Sequence, residues 1–346
     1  MQNNKIYISI LTLGFLLLTN TAALAQERTY AENSQPFNEW VDGVKLEAIA
    51  KGMNAELVNA AFKGVVPDQK VIDLDRSQPE FTQTFSQYVT LRVSATRIAK
   101  GREMMQLYAD ELKDVSEHYG VPPQVIAAIW GMETNYGGYT GGMSVIRSLA
   151  TLAYDPRRAT FFRAQLFSAL KIADEGHVTL ENLKGSWGGA MGQSQFMPSN
   201  FFAYAQDFDG DGKRDIWNTP KDVFASIANY LKDHGWQPNL TWGRQVVLPD
   251  NFDSFENDIL REAGARGCRA ERSHSAKILL EDWNSMGIRR LNGDELPKVD
   301  VKAALVRPSG KNGPAFLTYH NFGRILNYNC ANYYALAVGQ LADQLR

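Results

Sequence analysis

The most informative stretch of the chain is VIAAIWGMETNYGG, which runs from Val125 to Gly138. Its first half repeats apolar residues at helical spacing, and Ile129 and Trp130 mark the buried face of a predicted helix. Glu133 lies four residues after Ile129 and three after Trp130, so it extends that face. An ionised carboxylate is costly to bury, so it should have hydrogen-bond donors or a raised pKa, which suits a general acid. The alternative is a glutamate that turns to solvent where the helix ends.

A glycine-rich segment at 185–199 reads GSWGGAMGQSQFMPS. Glycines at this density disfavour helix and let the backbone approach a ligand closely. The neutral hydrogen-bonding residues are Ser186, Gln193, Ser194 and Gln195, and the aromatic ones are Trp187 and Phe196. Neutral donors beside aromatic faces suit sugar rings better than phosphates, although this pattern alone is not specific.

An acidic segment, DFDGDGKRD from Asp207 to Asp215, matches the opening of an EF-hand calcium loop. Asn218 stands where the standard loop has a bidentate glutamate. Asp222 could close the site instead, or could lie at N3 of a helix capped by Thr219. The predicted ligands of a structural Ca²⁺ ion are Asp207, Asp209, Asp211, the carbonyl of Lys213, Asp215 and Asp222. The alternative is a polar turn held by Asx hydrogen bonds.

Residues 1–25 have the features of a secretory signal, with Lys5 before an apolar stretch at 6–18 and an Ala-Leu-Ala motif at 23–25. We therefore expect an exported, periplasmic protein without a membrane span. The formal net charge of −2 gives no electrostatic reason to expect nucleic-acid binding. In an oxidising compartment Cys268 and Cys330 could pair, although two unrelated thiols fit the sequence equally well.

The pattern of the chain changes near residue 240. Before this point, apolar residues recur every three to four positions, whereas short strand-like runs follow it. The predicted helices cover 37–51, 54–62, 91–119, 160–174, 221–233, 278–286 and 331–345, and the predicted strands cover 244–249, 299–306 and 316–319. We predict a mainly α fold (α+β) with a helical domain at 26–240, a small mixed α/β region at 241–320, and a C-terminal helix at 321–346 that packs back on the helical domain.

Several segments of the chain, in the order in which they occur, resemble the lytic murein transglycosylase B family. The matching segments are 131–137, 149–152, 156–159, 185–199, the acidic loop from Asp207, 228–230, 234–236, 321–322, 328–329 and 334–338. The resemblance implies a lysozyme-like helical fold with an EF-hand-like calcium loop and a small β-containing insert. No HExxH zinc motif or GxSxG nucleophile motif competes with it. Cys330 and Ala331 depart from the polar pair that is common in the family.

The resemblance also implies cleavage of the β-1,4 bond between N-acetylmuramic acid and N-acetylglucosamine in peptidoglycan. Glu133 would protonate the glycosidic oxygen and then accept the proton of the muramyl C6 hydroxyl, which closes a 1,6-anhydro ring. The residues implied to bind substrate are Ser186, Gln195, Tyr230, Tyr328, Asn329, Tyr334, Arg157, Arg158 and Tyr88.

Two other functions stay open at this point: a muramidase that uses water, and a catalytically silent peptidoglycan-binding protein. The expected partners are the glycan strands of peptidoglycan and proteins of cell-wall synthesis. Nothing in the sequence argues against a monomer.

Overall fold

The computed structural model describes residues 35–77, 83–254 and 268–346, so the predicted signal at 1–25 lies outside the described residues. The helices are α1 (Phe37–Ala50), α2 (Ala55–Ala61), α3 (Gln69–Ser77), α4 (Phe85–Arg92), α5 (Ala95–Leu107), α6 (Ala109–Tyr119), α7 (Pro123–Thr134), α8 (Val145–Tyr154), α9 (Ala159–Asp174), α10 (Pro198–Tyr204), α11 (Pro220–Asp233), α12 (Leu280–Ser285), α13 (His320–Tyr328) and α14 (Asn332–Gln344). Within the described ranges, none of the helices has both the length and the apolar character needed to cross a bilayer.

Helix α7 is buried along most of its length. Pro123 occupies its first turn, where the missing N–H has no helical partner to lose. The helix ends at Asn135, whose φ of 53° is left-handed. Helices α5, α6, α11 and α14 pack around it. This enclosure explains why α7 is apolar on more than one face.

The turn after α7 folds back between α5 and α7. Tyr136 is 4% exposed, and its hydroxyl donates to the Arg97 carbonyl at 3.1 Å. A Cβ atom on Gly131 would lie 2.6 Å from the Tyr136 ring, and one on Gly101 would lie 2.2 Å from its hydroxyl oxygen. These two glycines make the room that one aromatic ring needs between the helices.

A second buried cluster is formed by α1, α2, α8, α9 and α10, with α8 packed along α9. Met191 and Phe196, from the glycine-rich segment, are buried in this cluster. Two apolar side chains therefore anchor the glycine-rich segment in this cluster.

A small sheet follows the helices. The strands are β1 (Met143–Ser144), β2 (Lys184–Gly185), β3 (Gly243–Val247), β4 (Ile278–Leu279), β5 (Arg289–Arg290), β6 (Lys302–Val306) and β7 (Ala315–Thr318). Strands β1 and β2 pair with each other, and the other five form an antiparallel sheet in the order β4-β6-β7-β3-β5. Trp283 of α12 is fully buried against this sheet, and its Nε1 donates to the Ala303 carbonyl at 3.1 Å.

The mainly helical fold with a small sheet confirms the predicted class, but one predicted helix is wrong in extent. The helix predicted at 91–119 is broken, because the Ser94 hydroxyl accepts the Arg97 N–H and starts α5 anew, and α5 ends at Tyr108. The helix predicted at 331–345 is present as α14, and a helix that was not predicted, α13, precedes it across extended backbone at Asn329, so the region 321–346 holds two helices. The division into domains at 240 and 320 stays a prediction.

Cys268 and Cys330 form a disulfide, with Cα atoms 5.5 Å apart. The bond joins the start of a 3₁₀ turn, Arg269–Ser273, to the loop between α13 and α14. The pairing that the sequence left open is therefore present in the structure.

The packing of Tyr136 predicts the effect of adding one methyl group to α7. Gly131→Ala should lower the free energy of unfolding by about 1–3 kcal/mol, because the new Cβ overlaps a buried ring. The matched control is Gly43→Ala in α1, where a Cβ atom meets nothing within 4 Å. That change should raise the free energy of unfolding by about 0.5–1 kcal/mol through helix propensity. Urea unfolding measures both variants, and equal effects would contradict the packing described.

Candidate active site

Glu133 lies in the last turn of α7 and is half-buried. Its Oε1 atom accepts a hydrogen bond from the hydroxyl of Tyr334, on α14, at 2.5 Å. The carboxylate therefore faces a neighbouring helix and has not simply turned to solvent. Of the two features expected for a buried glutamate, a raised pKa or hydrogen-bond donors, the structure provides a donor: a phenol 201 residues further along the chain.

Two tyrosine hydroxyls set the electrostatics around this carboxylate. Burial raises the pKa of the Tyr334 hydroxyl well above its ordinary value, and the nearby Glu133 charge raises it further. The same two causes raise the pKa of the Tyr328 hydroxyl, which donates to the Ser194 carbonyl at 2.6 Å. Both phenols therefore stay protonated. Tyr334 can donate to Glu133 while the carboxyl group itself gains or loses a proton.

Tyr230 packs against Tyr328, with ring centroids 4.9 Å apart. It is 6% exposed, and its hydroxyl donates to the Asn327 carbonyl at 2.6 Å. Burial raises the pKa of this hydroxyl to about 12. His234 stacks on the Tyr230 ring at 4.1 Å. The structure thus places Tyr230, predicted to contact sugar, as a buried support for Tyr328.

A groove of about 320 Å³ opens beside Tyr334. Tyr88 of α4 lines it, together with Asn329 and Cys330 from the loop between α13 and α14. Arg269, at the start of the 3₁₀ turn, completes this part of the lining. The structure therefore brings together Tyr88, Asn329 and Tyr334, which the sequence analysis named from three separate segments.

The glycine-rich segment folds against the chain that follows α7. Strand β2 pairs with β1, and a Cβ atom on Gly141 would lie 2.2 Å from the backbone of Gly185. Gln195 has a φ of 50°, and its Nε2 donates to the Thr140 carbonyl at 3.0 Å. Close backbone approach, possible only without side chains, holds the segment near the end of α7.

Ser186 forms the turn of the same segment. Its Oγ accepts the Ala190 N–H at 3.1 Å, and its own N–H donates to the Ala190 carbonyl at 2.8 Å. The side chains of Ser186 and Gln195, both predicted to bind substrate, therefore hold the conformation of the segment itself.

Gln193 links three parts of the site, although it was not among the predicted site residues. Its Oε1 accepts from Trp130 Nε1 of α7 at 2.8 Å, and its Nε2 donates to the Trp217 carbonyl at 2.7 Å. Its carbonyl accepts from the Thr134 hydroxyl at 3.3 Å. The only sequence signal for this role was its place in the glycine-rich segment, because both tryptophans are distant in sequence.

Comparison with known proteins identifies the family. The family model described as Transglycosylase SLT domain matches residues 36–343. The chain belongs to this family. Membrane-bound lytic murein transglycosylase B of Escherichia coli is 33% identical over 258 residues, which cover 72% of this chain and 64% of that relative. The match thus spans less than two thirds of the relative's length.

Two solved structures extend this similarity to the SLT fold. SltB3 from Pseudomonas aeruginosa, in complex with NAG-anhNAM-pentapeptide, is 44% identical, with a TM-score of 0.82 and coverage of 90% of this chain and 80% of that one. The Escherichia coli lytic transglycosylase SLT35, in complex with calcium, is 26% identical, with a TM-score of 0.72 and coverage of 91% and 95%. The predicted resemblance to lytic transglycosylases is confirmed.

The acidic loop of this SLT chain gathers three carboxylates. Asp207, Asp209 and Asp211 each offer one oxygen, and these oxygens lie within 4.8 Å of one another. Like charges this close repel one another, and the backbone N–H groups of the loop that donate to all three carboxylates offset part of this repulsion. Gly210, with a φ of 79°, allows the sharp turn. This oxygen-only donor set fits Ca²⁺, while the Lys213 carbonyl as a further ligand stays a prediction.

The other two predicted carboxylate ligands are engaged by the backbone. Asp222 is fully buried in the first turn of α11, where its oxygens accept the N–H groups of Phe208 and Asp215 at 2.7 and 2.8 Å. Burial raises the pKa of Asp222 to about 6. Asp215 accepts the N–H groups of Trp217 and Asn218, both at 2.9 Å. Asp222 therefore braces both ends of the loop from the N3 position, the alternative that the sequence allowed.

Arg157 and Arg158 lie between α8 and α9, where both guanidinium groups form ion pairs with Asp75 of α3. Asp75 is 4% exposed, and Arg157 also donates to its carbonyl at 2.8 Å. The structure therefore gives these two predicted substrate-binding charges a structural partner.

Proposed function

We propose that this chain is a peptidoglycan lytic transglycosylase that cleaves the β-1,4 bond between N-acetylmuramic acid and N-acetylglucosamine. The observation that carries the proposal is the hydrogen bond from the buried Tyr334 hydroxyl to Glu133, at the edge of an aromatic groove. Membership of the SLT family supports it, as does the solved complex of the similar SltB3 with NAG-anhNAM-pentapeptide.

In the first step, Glu133 donates its proton to the glycosidic oxygen as the bond to the muramyl C1 breaks. The N-acetyl group of the muramyl ring supplies the electron pair at C1, so the N-acetylglucosamine end leaves with a new hydroxyl group. The Tyr334 hydroxyl stabilises the carboxylate that Glu133 becomes, because a hydrogen bond to a charged acceptor is stronger than one to a neutral acceptor.

In the second step, the Glu133 carboxylate takes the proton of the muramyl C6 hydroxyl, and O6 forms a bond to C1. The N-acetyl oxygen leaves C1, a 1,6-anhydro ring closes, and Glu133 is protonated again. One carboxyl group thus acts as acid and then as base, unlike the pair of carboxyl groups that most glycoside hydrolases use.

The groove residues divide into contacts and supports. Tyr88, Asn329 and Tyr334 line the groove and contact the sugars in this proposal. Tyr328 and Tyr230 form the layer behind Glu133, while Ser186 and Gln195 hold the glycine-rich segment near the N-acetyl groups. Arg157 and Arg158 keep their ion pairs with Asp75. Only the exposed parts of their side chains can contact substrate.

The acidic loop holds a structural Ca²⁺ ion in this proposal, through Asp207, Asp209 and Asp211. The similar SLT35 was solved with calcium, which supports the assignment. The ion would offset the repulsion among the three carboxylates and fix a loop that ends beside Trp217, the backbone partner of Gln193. The predicted signal supports export of the protein to the periplasm.

Product analysis tests the reaction. After incubation of the protein with purified peptidoglycan, mass spectrometry should detect anhydro-muropeptides, which are lighter than hydrolysed muropeptides by one water molecule. Glu133→Gln should reduce their rate of formation by about 10²–10⁴-fold, because the side chain can no longer transfer a proton. Hydrated reducing ends would instead identify a muramidase. A folded wild type that yields no products would identify a binding protein.

Removing one hydroxyl tests the role of Tyr334. Tyr334→Phe should lower kcat/KM by about 10–100-fold, because a hydrogen bond to a charged group contributes about 1.5–3 kcal/mol. The alkaline limb of the pH–rate profile should move to higher pH, since losing a donor to the carboxylate favours its protonated form. The control is Tyr319→Phe, which removes another buried hydroxyl, bonded to Arg244 Nε at 2.6 Å. An unchanged pH profile in Tyr334→Phe would contradict the assignment.

Thermal unfolding tests the calcium loop. Saturating Ca²⁺ at about 100 times its Kd should stabilise the fold by about 2.7 kcal/mol, and a chelator should reverse the effect. Asp209→Asn should abolish the response to calcium with little change in the chelated protein. Asp222→Ala should destabilise even the chelated protein, by about 1–3 kcal/mol for each N–H left without its acceptor. If Ca²⁺ still stabilised the Asp209→Asn variant against thermal unfolding, the acidic loop would not be the metal site.

A further inference from the structure

We propose that a second cavity, between the five-stranded sheet and α14, binds the terminal carboxylate of a short peptide. Its volume is about 490 Å³, and its lining includes Arg244 of β3, Arg290 of β5 and Gln340 of α14. Among the described residues, the cavity and the groove beside Tyr334 have no lining residue in common. The inference goes beyond the proposed function, because peptide binding here requires no bond cleavage.

The pairing of β3 with β5 places the two arginines near each other. Arg290 is opposite Val246 in the antiparallel register, and Arg244 lies two residues before Val246. Residues two positions apart on a strand share a face, and so do residues directly opposite each other on neighbouring strands. Arg244 and Arg290 are therefore diagonal neighbours on one face, and an anion between them is attracted by both charges.

The Arg290 side chain has hydrogen-bond donors to offer. Its Nε atom is buried and has no hydrogen-bond partner among the described residues. Leaving a buried donor without an acceptor costs free energy, so an acceptor is expected beside Arg290. A carboxylate suits this position, because a guanidinium group binds it through two parallel N–H donors.

Tyr319 holds Arg244 in place for the same ligand. The Arg244 Nε donates to the Tyr319 hydroxyl at 2.6 Å, and the guanidinium carbon lies 5.7 Å from the ring centroid. Burial raises the pKa of this hydroxyl, while the charges of Arg244 and Arg290 act against the rise, so both arginines lie close to one phenol. The bond through Nε orients the Arg244 group and leaves its terminal N–H groups for a ligand.

Asp343 is the one carboxylate in the described lining of the cavity, and other groups offset its charge. Its Oδ2 accepts from Trp242 Nε1 at 3.1 Å, and its Oδ1 forms an ion pair with Arg346 at 3.1 Å. The two arginines therefore leave the cavity with an excess of positive charge, which favours an anionic ligand.

The polar lining fits a peptide better than it fits an inorganic anion. Three amide side chains line the cavity, and each can both donate to a peptide carbonyl and accept from a peptide N–H. They are Gln245, Gln340 and Gln344. An inorganic anion only accepts hydrogen bonds, so the oxygens of these amides would find no partner on it.

Apolar surface in the same cavity can hold the side chains of a peptide. Trp242 and Phe316 line it, and Leu291, next to Arg290, lines it while 62% exposed. Trp242 has a fixed place, because a Cβ atom on Gly339 of α14 would lie 2.4 Å from its ring. A preformed wall of this kind lowers the entropy lost when a ligand binds.

An NMR titration tests the site through Trp242, whose indole N–H signal is identified by comparison with Trp242→Phe. The probes are acetyl-D-alanyl-D-alanine and the same peptide with an amide in place of its terminal carboxylate. The carboxylate form should bind at least about tenfold more tightly, because its hydrogen bonds to arginine are charge-assisted. Arg290→Gln should reduce this preference to about threefold or less and leave the Kd of the amide form unchanged.

The matched control is Lys302→Gln, which removes an exposed positive charge from β6, outside the cavity lining. This variant should keep the full preference for the carboxylate form. The proposal would be overturned by a wild-type protein that binds the two peptides equally or not at all, or by a preference that Arg290→Gln leaves intact. Inorganic phosphate that binds as tightly as the peptide would also overturn it.

The same titration in the Glu133→Gln background separates two sources of the carboxylate. Its probes are NAG-NAM-pentapeptide and the form of this fragment with an amide at the end of its peptide. A preference for the carboxylate form that depends on Arg290 would assign the cavity to peptides still attached to glycan, whereas a preference limited to the free dipeptide would assign it to released peptides. Product analysis decides the proposed function separately, because the dipeptide titration involves no reaction.

Discussion

The hydrogen bond between the Tyr334 hydroxyl and the Glu133 carboxylate constrains most of the structure around the groove. It requires α14 to pack on α7, so the last helix of the chain must return to the helix that carries the glutamate. It also requires a buried phenol that keeps its proton, which burial and the neighbouring negative charge both provide. Glu133 gains and loses a proton during the proposed reaction, so its hydrogen-bond donor must stay protonated throughout.

The residues behind this pair are a packed and hydrogen-bonded support. Tyr328 donates to the Ser194 carbonyl, and Tyr230 donates to the Asn327 carbonyl, so each buried hydroxyl has an acceptor. A buried phenol that has an acceptor resists displacement, because any shift would leave its donor in an apolar surrounding. This support keeps Tyr334 and Glu133 at hydrogen-bond distance.

Local patterns in the sequence predicted the parts of the site that depend on neighbours in the chain. The spacing of Ile129, Trp130 and Glu133 located the carboxylate on α7, and the DxDxDG pattern located three carboxylates that gather in one loop. What local spacing could not reveal are pairings between distant residues. Asp75 is 82 residues from Arg157, and neither segment has a sequence pattern that predicts their ion pair.

The helix boundaries show the same limit of local information on a smaller scale. The apolar spacing at 91–119 is compatible with a single helix, yet Ser94 starts a new one by accepting an N–H of its own first turn. Periodicity reports which face is buried, whereas capping depends on one side chain and the backbone next to it. Boundaries are therefore the part of a helix that periodicity determines least.

Gln193 joins α7, the glycine-rich segment and the end of the acidic loop through one amide group, which accepts from Trp130 and donates to Trp217. Such a position has almost no substitutes among the natural amino acids. Asparagine is one methylene too short to reach both partners. An ionised glutamate has no N–H or O–H group to donate to the Trp217 carbonyl. Methionine can fill the volume but satisfies neither partner. A single amide of fixed length therefore sets the distance between α7 and the end of the acidic loop.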